Sequence, residues 1–368
     1  MNVIELQLQN FRNYAGLSLQ FDPGVNLIAG ENAQGKTNLL EAISYLSCGR
    51  SFRAQRSSEL LRFGAEAAEL HARVYSQERE QTLRMVLTQG RRLLYRNGAK
   101  KRSFGELAGV LSTVLFCPED LLILKAGAAG RRRMADMAIC QLRPNYDAAL
   151  AEYNRILEQK SRILKDKEEN PALLEVLPEF NERLVTVGAT IIAYRARFFA
   201  GLGELAQGYH CQFSGGKEEF RLQYRTVSTV PNPFAPIGTL REQLREHLES
   251  HARAELESMQ CLTGPHKDDF SVFLSDLDLK TYGSQGQIRT AAISLKLAQR
   301  DLQQRELGEM PVLLLDDVLS ELDAGRQDFV LNQITAGQVF ITCCKTDKIT
   351  KSGRKFEISA GNVLLEQE

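Results

Sequence analysis

The chain has 368 residues, 43% of them hydrophobic, with 46 basic and 46 acidic side chains and a formal net charge of zero. That length leaves room for two domains, or for one domain with a large insertion, and the composition is ordinary for a soluble globular protein. It excludes a membrane-spanning chain, since no apolar run approaches the roughly 20 residues a span needs, and the balanced charge leaves any case for nucleic acid to local clusters.

Residues 3–8 alternate apolar and polar, with Ile4, Leu6 and Leu8 on one face, which predicts a half-buried strand. Phe11-Arg12-Asn13-Tyr14 follows, then a second strand from Leu17 to Phe21 and a turn at Asp22-Pro23-Gly24. Val25 to Ala29 is a short apolar run of the kind that forms a buried strand. Directly after it, Gly30-Glu31-Asn32-Ala33-Gln34-Gly35-Lys36-Thr37 fits the phosphate-binding loop pattern. The next stretch is apolar at Leu39, Leu40, Ile43 and Leu46, which is helical spacing. Strand, glycine loop and helix are the context this pattern requires. The glycines let backbone N–H groups turn toward phosphate oxygens, and the helix N-terminus adds a partial positive charge. Gly30, Asn32, Gly35, Lys36, Thr37 and Asn38 are therefore candidate nucleotide-binding residues, with Lys36 on the β- and γ-phosphates and Thr37 on Mg²⁺. Two strands precede this loop, too much for a plain nucleotide kinase.

Residues 48–56 carry Arg50, Arg53 and Arg56 and no acid, so they read either as a solvated loop or as a DNA-phosphate contact beside the nucleotide. Residues 69–104 read as antiparallel sheet with a tight hairpin at Asn97-Gly98; the basic run from Arg91 to Arg102 fits an exposed charged hairpin. Val114-Leu115-Phe116 predicts another buried strand, ended by Cys117-Pro118-Glu119-Asp120. Arg131-Arg132-Arg133 then opens a helical region lasting to about residue 205, read as two amphipathic helices in a hairpin broken at Asn170-Pro171. Phe220 to Thr226 is strand-like, residues 230–236 form a loop, and Arg241 to Met259 is a charged helix. His247 and His251 have metal-like spacing, but Leu248 stands where a zinc protease needs glutamate, so both are expected to be solvated. After the turn Thr263 to Asp269, Phe270 to Leu274 resumes sheet and is expected to return the chain to the nucleotide domain. The predicted organisation is a discontinuous head, residues 1–120 and 261–368, with a mostly helical insertion at 121–260.

The later motifs set the class. Tyr282-Gly283-Ser284-Gln285-Gly286-Gln287 precedes a helix with Ile288, Ala291, Ala292, Leu295, Ala298 and Leu302 on its inner face. Ser284 and Gln287 have capping-box spacing, so a well-capped helix is the plain alternative. Val312 to Leu315 is a buried strand delivering Asp316 and Asp317, followed by Ser320-Glu321-Leu322-Asp323. Loop, Ser-Gln-Gly-Gln helix start, acid strand and Ser-Glu-Leu-Asp follow the order of ABC-type ATPases. The fold class expected is α/β: an ABC-type P-loop ATPase head with a mixed and antiparallel sheet lobe and an inserted helical second domain. Asp316 and Thr37 would hold Mg²⁺, and Asp317 would orient or deprotonate the attacking water, with Lys36 as the second catalytic group. In such a layout Ser284, Gly286 and Gln287 complete the ATP site of a second copy in trans, so ATP acts as interface glue between two heads.

With these pieces in place the sequence resembles the bacterial RecF recombination mediators, SMC-like ABC ATPases without the long arm. The likeness runs nearly end to end. It rests on Phe11 to Tyr14, Gly30 to Thr37, Gly49-Arg50-Ser51-Phe52-Arg53, Pro118 to Leu121, Arg131 to Arg133, Gly264-Pro265-His266-Lys267-Asp268-Asp269, and Leu315 to Asp317 with Ser320 to Asp323. The resemblance implies an ATP-dependent homodimer on duplex DNA near gaps or junctions, and weak DNA-stimulated ATPase activity. It further implies assistance to recombinase loading with the RecO and RecR proteins in repair, replication and the SOS response to DNA damage. Arg50, Arg53, Arg131, Arg132 and Arg133 are the DNA-binding candidates. Two positions depart from the generic ABC pattern: Asp317 stands where transporters use Glu, and Thr342 where they carry a switch histidine, and both imply slow turnover. The glutamine of a Q-loop has no clear position, with Glu119 or Asp120 near it. The seven cysteines form no metal-type spacing or disulfide framework, and there is no signal peptide, which together point to a reducing cytoplasm. The competing readings are a transporter's nucleotide-binding subunit, disfavoured by the helical insertion, and a head that binds ATP without hydrolysing it.

Overall fold

A computed structural model describes residues 1–54, 56–344 and 353–367. The chain opens with β1 (Asn2–Phe11), β2 (Tyr14–Gln20) and β3 (Val25–Ala29), then passes through the glycine loop into α1 (Lys36–Cys48). Strands β4 (Ala67–Ser76), β5 (Arg79–Thr88), β6 (Arg91–Arg96), β7 (Ala99–Lys101) and β8 (Thr113–Phe116) follow. Helices α2 (Ala128–Leu142), α3 (Pro144–Asp166) and α4 (Leu177–Ser214) come next, then β9 (Phe220–Arg225) and α5 (Ile237–Ser258). The chain continues with β10 (Asp269–Leu274), β11 (Leu277–Asp278), the short α6 (Leu279–Tyr282) and the long α7 (Gln285–Leu307). It ends with β12 (Val312–Asp316), α8 (Ala324–Gln333), β13 (Val339–Cys343), β14 (Arg354–Ser359) and β15 (Asn362–Gln367).

Three sheets result. One is antiparallel, in the order β2-β1-β4-β5-β6-β7; a small one runs β11-β10-β9; the third runs β15-β14-β3-β13-β12-β8. The third is parallel from β14 to β8, with β15 antiparallel at its edge. Its strand β12, between β13 and the edge strand β8, reads Val-Leu-Leu-Leu-Asp and is buried at every position, the continuous apolar run expected of a strand covered on both faces. By contrast, β4 alternates buried and half-buried residues, as a strand with one wetter face should. Helix α1 lies between these two sheets. Leu39, Leu40, Ile43 and Leu46 share one core with Leu70, Met85 and Leu87 of the antiparallel sheet and Leu314 and Phe340 of the parallel one. Among the described residues no helix is long and apolar enough to cross a membrane.

Several expectations need correction. The helical region holds three helices, because Pro144 starts a new one after Arg143; its ring cannot continue the hydrogen-bond ladder of α2. The strand at Phe270–Leu274 does not join the nucleotide sheet. It pairs antiparallel with β9, from Asp269 opposite Arg225 to Leu274 opposite Phe220. His247 is not solvated: it is 6% exposed, hydrogen-bonds Thr263 Oγ1 at 2.8 Å and stacks on the His251 ring at 3.9 Å between centroids. Burial, and then the neighbouring His251, push its pKa down. The two rings lie face to face, and the described residues hold no cluster of metal-binding type.

Beneath α5, Lys160 of α3 is 0% exposed and pairs at 2.5 Å with Glu255, which is 3% exposed and also accepts the Leu262 N–H at 2.6 Å. Removing one member of such a pair strands a buried charge. Lys160→Ala is therefore expected to lower unfolding stability by about 3–5 kcal/mol. Arg253→Ala, which breaks the largely exposed Arg253–Glu257 pair on the same helix, should change it by no more than about 0.5 kcal/mol. Urea titration of the two variants measures both, and equal effects would contradict the assignment.

Candidate nucleotide site

The glycine loop joins β3 to α1, and its glycines are obligatory. Gly30 has φ 146°, and a Cβ there would lie 2.3 Å from the Ile358 carbonyl oxygen. Gly35 has φ 120°, and a Cβ there would meet Asn13 Nδ2 at 2.6 Å. The turn between β1 and β2 braces the loop from below. Asn13 Nδ2 donates to the Gln34 carbonyl at 2.9 Å, and Asn13 Oδ1 accepts from Asn38 Nδ2 at 2.8 Å. The Tyr14 hydroxyl donates to the Gly35 carbonyl at 2.9 Å. Arg12 makes a bidentate pair with Glu41 of α1, both bonds 2.8 Å, and the fully buried Glu41 also accepts the Ser51 hydroxyl. On the other side, the β14–β15 turn donates to Gln34 through the Gly361 and Ala360 N–H groups. Inside the loop the Lys36 ammonium donates to the carbonyls of Gly30 at 2.5 Å and Glu31 at 2.8 Å. Asn32 accepts from the Cys344 thiol at 3.2 Å.

The acid strand arrives beside this loop through sheet register. Asp316 of β12 lies opposite Thr342 of β13, and Thr342 lies opposite Ile28 of β3. Asp316 Oδ1 accepts two hydroxyls, from Thr37 at 2.9 Å and from Thr342 at 2.9 Å. Thr342 Oγ1 in turn accepts the Asp317 N–H at 2.8 Å. Burial pushes the Asp316 carboxyl up; the two hydroxyl donors pull against that, Asp317 pushes further, and Arg53 opposes it. Asp317 itself adopts a left-handed backbone, φ 52°, and its carbonyl accepts the Ser320 hydroxyl at 2.7 Å. Thr37, Arg53, Asp316 and Asp317 line a cavity of about 660 Å³. Glu119 and Asp120 both reach the same wall, where Asp120 is committed to an ion pair with Lys296 at 2.9 Å.

Ser284 lies elsewhere. It is exposed, it is not among the residues lining that cavity, and it caps α7. Its Oγ accepts the Gln287 N–H at 3.2 Å, and Gln287 Oε1 accepts both the Ser284 N–H at 3.1 Å and its hydroxyl at 3.0 Å. Two residues that motif reading misses hold this helix start. Glu218 accepts Gln287 Nε2 at 2.8 Å while its second oxygen meets His210 Nε2 at 2.9 Å. Arg326 of α8 donates to the Gly286 carbonyl at 2.9 Å and to Thr290 Oγ1 at 3.1 Å, and pairs with Asp323.

The arginine candidates part company. Arg53 is exposed, with one bond of 3.3 Å to Asn38 Oδ1. Arg50 is half-buried and pairs with Asp147 at 2.9 Å. Arg131 is 1% exposed, forms bidentate bonds of 2.6 and 2.8 Å with Asp269, and donates to the carbonyls of Ile123, Leu124 and Ala126. A guanidinium with every face occupied does not reach a duplex, so Arg131 is withdrawn from the DNA-binding set. The reason is angular: successive helix residues point about 100° apart, so three adjacent arginines cannot all face solvent. Arg132 donates to the Asp268 carbonyl at 2.7 Å and Arg133 to those of Ser51 and Ala54; both keep donors to spare.

The family described as RecF/RecN/SMC N terminal domain matches residues 2–363. A protein from Symbiobacterium thermophilum named DNA replication and repair protein RecF is 38% identical, the match covering 100% of this chain and 99% of that protein. The protein of the same name from Bacillus subtilis is 39% identical over 95% of each chain. A solved structure described as the recombination mediator protein RecF-ATPrS in the RecFOR pathway has a TM-score of 0.91 and 36% identity, covering 98% of this chain and 97% of that one. An Smc head bound to the C-winged helix domain of ScpA, 17% identical with a TM-score of 0.54, is similar in fold. Matched along almost its whole length by the family and by relatives more than a third identical, the chain belongs to the RecF family.

Proposed function

We propose that the chain is an ATP-dependent DNA-binding protein of recombinational repair and replication. Two copies close head to head over two ATP molecules on duplex DNA near gaps or junctions, and slow hydrolysis parts them and assists recombinase loading. One observation carries this reading: Thr37 bonds Asp316 beside the glycine loop, while the finished, exposed cap of Ser284 bonds Gln287 and makes no hydrogen bond to the loop, Asp316 or Asp317. A donor group built so completely, yet away from its own chain's site, suits a second copy's phosphates. The names of the relatives, and the solved RecF structures described with ATP and with the RecFOR pathway, support ATP as ligand and RecO and RecR as partners.

The loop's N–H groups and Lys36 bind the phosphates. Thr37 Oγ1 and Asp316 Oδ1, 2.9 Å apart, are hard oxygen donors of the kind Mg²⁺ takes, and they would hold it. When bound, the ion supplies charge neutralisation of the phosphoryl oxygens. Asp317 faces the same cavity and orients or deprotonates water. Its backbone is pinned by Thr342, which occupies the place of a switch histidine without being able to titrate. Arg53 is an exposed cation on the wall of this cavity and would meet a backbone phosphate. The resulting activity is a weak, DNA-stimulated ATPase used as a switch.

Asp317→Asn is expected to keep ATP-dependent dimers and to slow phosphate release about 10²–10⁴-fold, the usual contribution of a positioned base; turnover near wild type would remove its role. Lys36→Ala should weaken ATP binding at least about 30-fold, the effect of losing roughly 2 kcal/mol of charge-assisted contact. Ser284→Arg should leave ATP affinity within about threefold of wild type and abolish dimers. Equilibrium dialysis with labelled ATP separates the two, and the pairing fails if Ser284→Arg loses ATP as Lys36→Ala does.

A further inference from the structure

A second cavity, of about 580 Å³, lies between the loop after α1 and helices α2, α3 and α4. Its wall is rich in guanidiniums: Arg50 and Arg56 from the loop, Arg132 and Arg133 from α2, and Arg195 from α4. Asp136 is the single acid among the described residues of that wall, and both of its oxygens accept from Arg195, at 2.9 and 3.1 Å. Arg195 is further neutralised by Asp268 at 2.8 Å, and Arg50 by Asp147 at 2.9 Å. Arg56, Arg132 and Arg133 have no carboxylate ion-pair partner among the described residues. The bonds that Arg132 and Arg133 do make go to backbone carbonyls, which satisfy an N–H but cancel no charge. Burial, followed by the like charge of Arg195, pushes the Arg132 pKa below its ordinary value, with Asp268, Asp269 and Asp136 opposing. The carboxylates near Arg132 are already paired with Arg131 and Arg195; a half-buried cation that shares its counter-charges is costly, and an anion beside it offsets that cost.

We propose that this cavity is a phosphate-binding site separate from the nucleotide loop, held by Arg132 and Arg133 with Arg56 at its rim. Three cations without a direct ion pair match a dianionic phosphate, or two neighbouring phosphodiesters, better than a single carboxylate, and the planar fork of arginine suits phosphate oxygens. The cavity is too small for a double helix, so a duplex would present backbone phosphates at its mouth. The phosphate comes either from DNA, an assignment that rests on the duplex-binding reading above, or from a free phosphate.

The test titrates the full chain with inorganic phosphate, followed by ³¹P line broadening, and with a short fluorescent duplex. Arg132→Gln combined with Arg133→Gln keeps an N–H for the Asp268 and Ser51 carbonyls while removing charge. Arg56→Gln, at an exposed position, is the second variant and does not endanger folding. Lys36→Ala removes phosphate binding at the nucleotide loop. Inorganic phosphate should still bind Lys36→Ala and should bind the double variant about tenfold more weakly. If the phosphate is DNA's, duplex affinity falls too, and the slope of log affinity against log salt becomes shallower by about 0.9 for each phosphate no longer neutralised. Weaker inorganic phosphate binding with unchanged duplex affinity keeps the site and assigns it to free phosphate. The proposal is overturned if neither ligand is affected by either arginine variant. A wild-type chain that ignores duplex altogether sinks the DNA reading alone, because the phosphate titration still decides the cavity.

Discussion

Three oxygen atoms hold the centre of this molecule together. Thr37 at the start of α1 and Thr342 on β13 both donate to one carboxylate oxygen of Asp316 on β12. That contact ties the glycine loop, the acid strand and the neighbouring strand into one unit, and it exists only because β3, β13 and β12 pair in a single parallel register. A slip of one residue between β12 and β13 would turn Asp316 to the opposite face and bring Leu315 to Thr342's level. The apolar run Val312–Leu315, buried on both sides, makes that slip costly. Core packing thus sets the position of the carboxyl, whose pKa burial pushes up while the two hydroxyl donors pull it down.

The helical part is fastened to this centre by charge as much as by apolar contact. Arg131 to Asp269, Arg195 to Asp136 and Asp268, and Arg50 to Asp147 all bridge elements far apart in sequence. Buried pairs of this kind add little net stability, but they tolerate no mismatch in position. They therefore fix how α2 and α4 sit against β10, and how α3 sits against the loop after α1. Farther along, Glu218 just past the end of α4 and Arg326 on α8 grip the same helix start at Ser284 to Gln287. A shift of α4 or α8 is thereby transmitted to the segment proposed to meet a second copy.

Much of the nucleotide site could be read from residues alone. Glycine spacing, an apolar strand before it and helical periodicity after it report backbone geometry directly, and β3, the loop and α1 lie where that pattern places them. The capping box at Ser284 is equally local, and Ser284 does cap α7. What escaped depends on partners distant in the chain. The pairing of β10 with β9 joins strands far apart in the chain with no motif to announce it. Glu218 and Arg326 carry no local signature, and Phe11 to Tyr14 marks a family without revealing that it braces the loop from beneath. Arg131 was legible in principle, since helical geometry turns one of three adjacent arginines inward. His247 looked solvated because a charged helix hides the one face that meets Thr263.

The proposed function needs a site that one chain fills only in part. Sedimentation velocity with and without saturating ATP and Mg²⁺ addresses that point most directly. Closure of two heads over shared nucleotide predicts that the 41.3 kDa chain doubles its mass with ATP and returns to a single chain when ADP replaces it. A single-chain species that binds and hydrolyses ATP at full rate without ever doubling would contradict it.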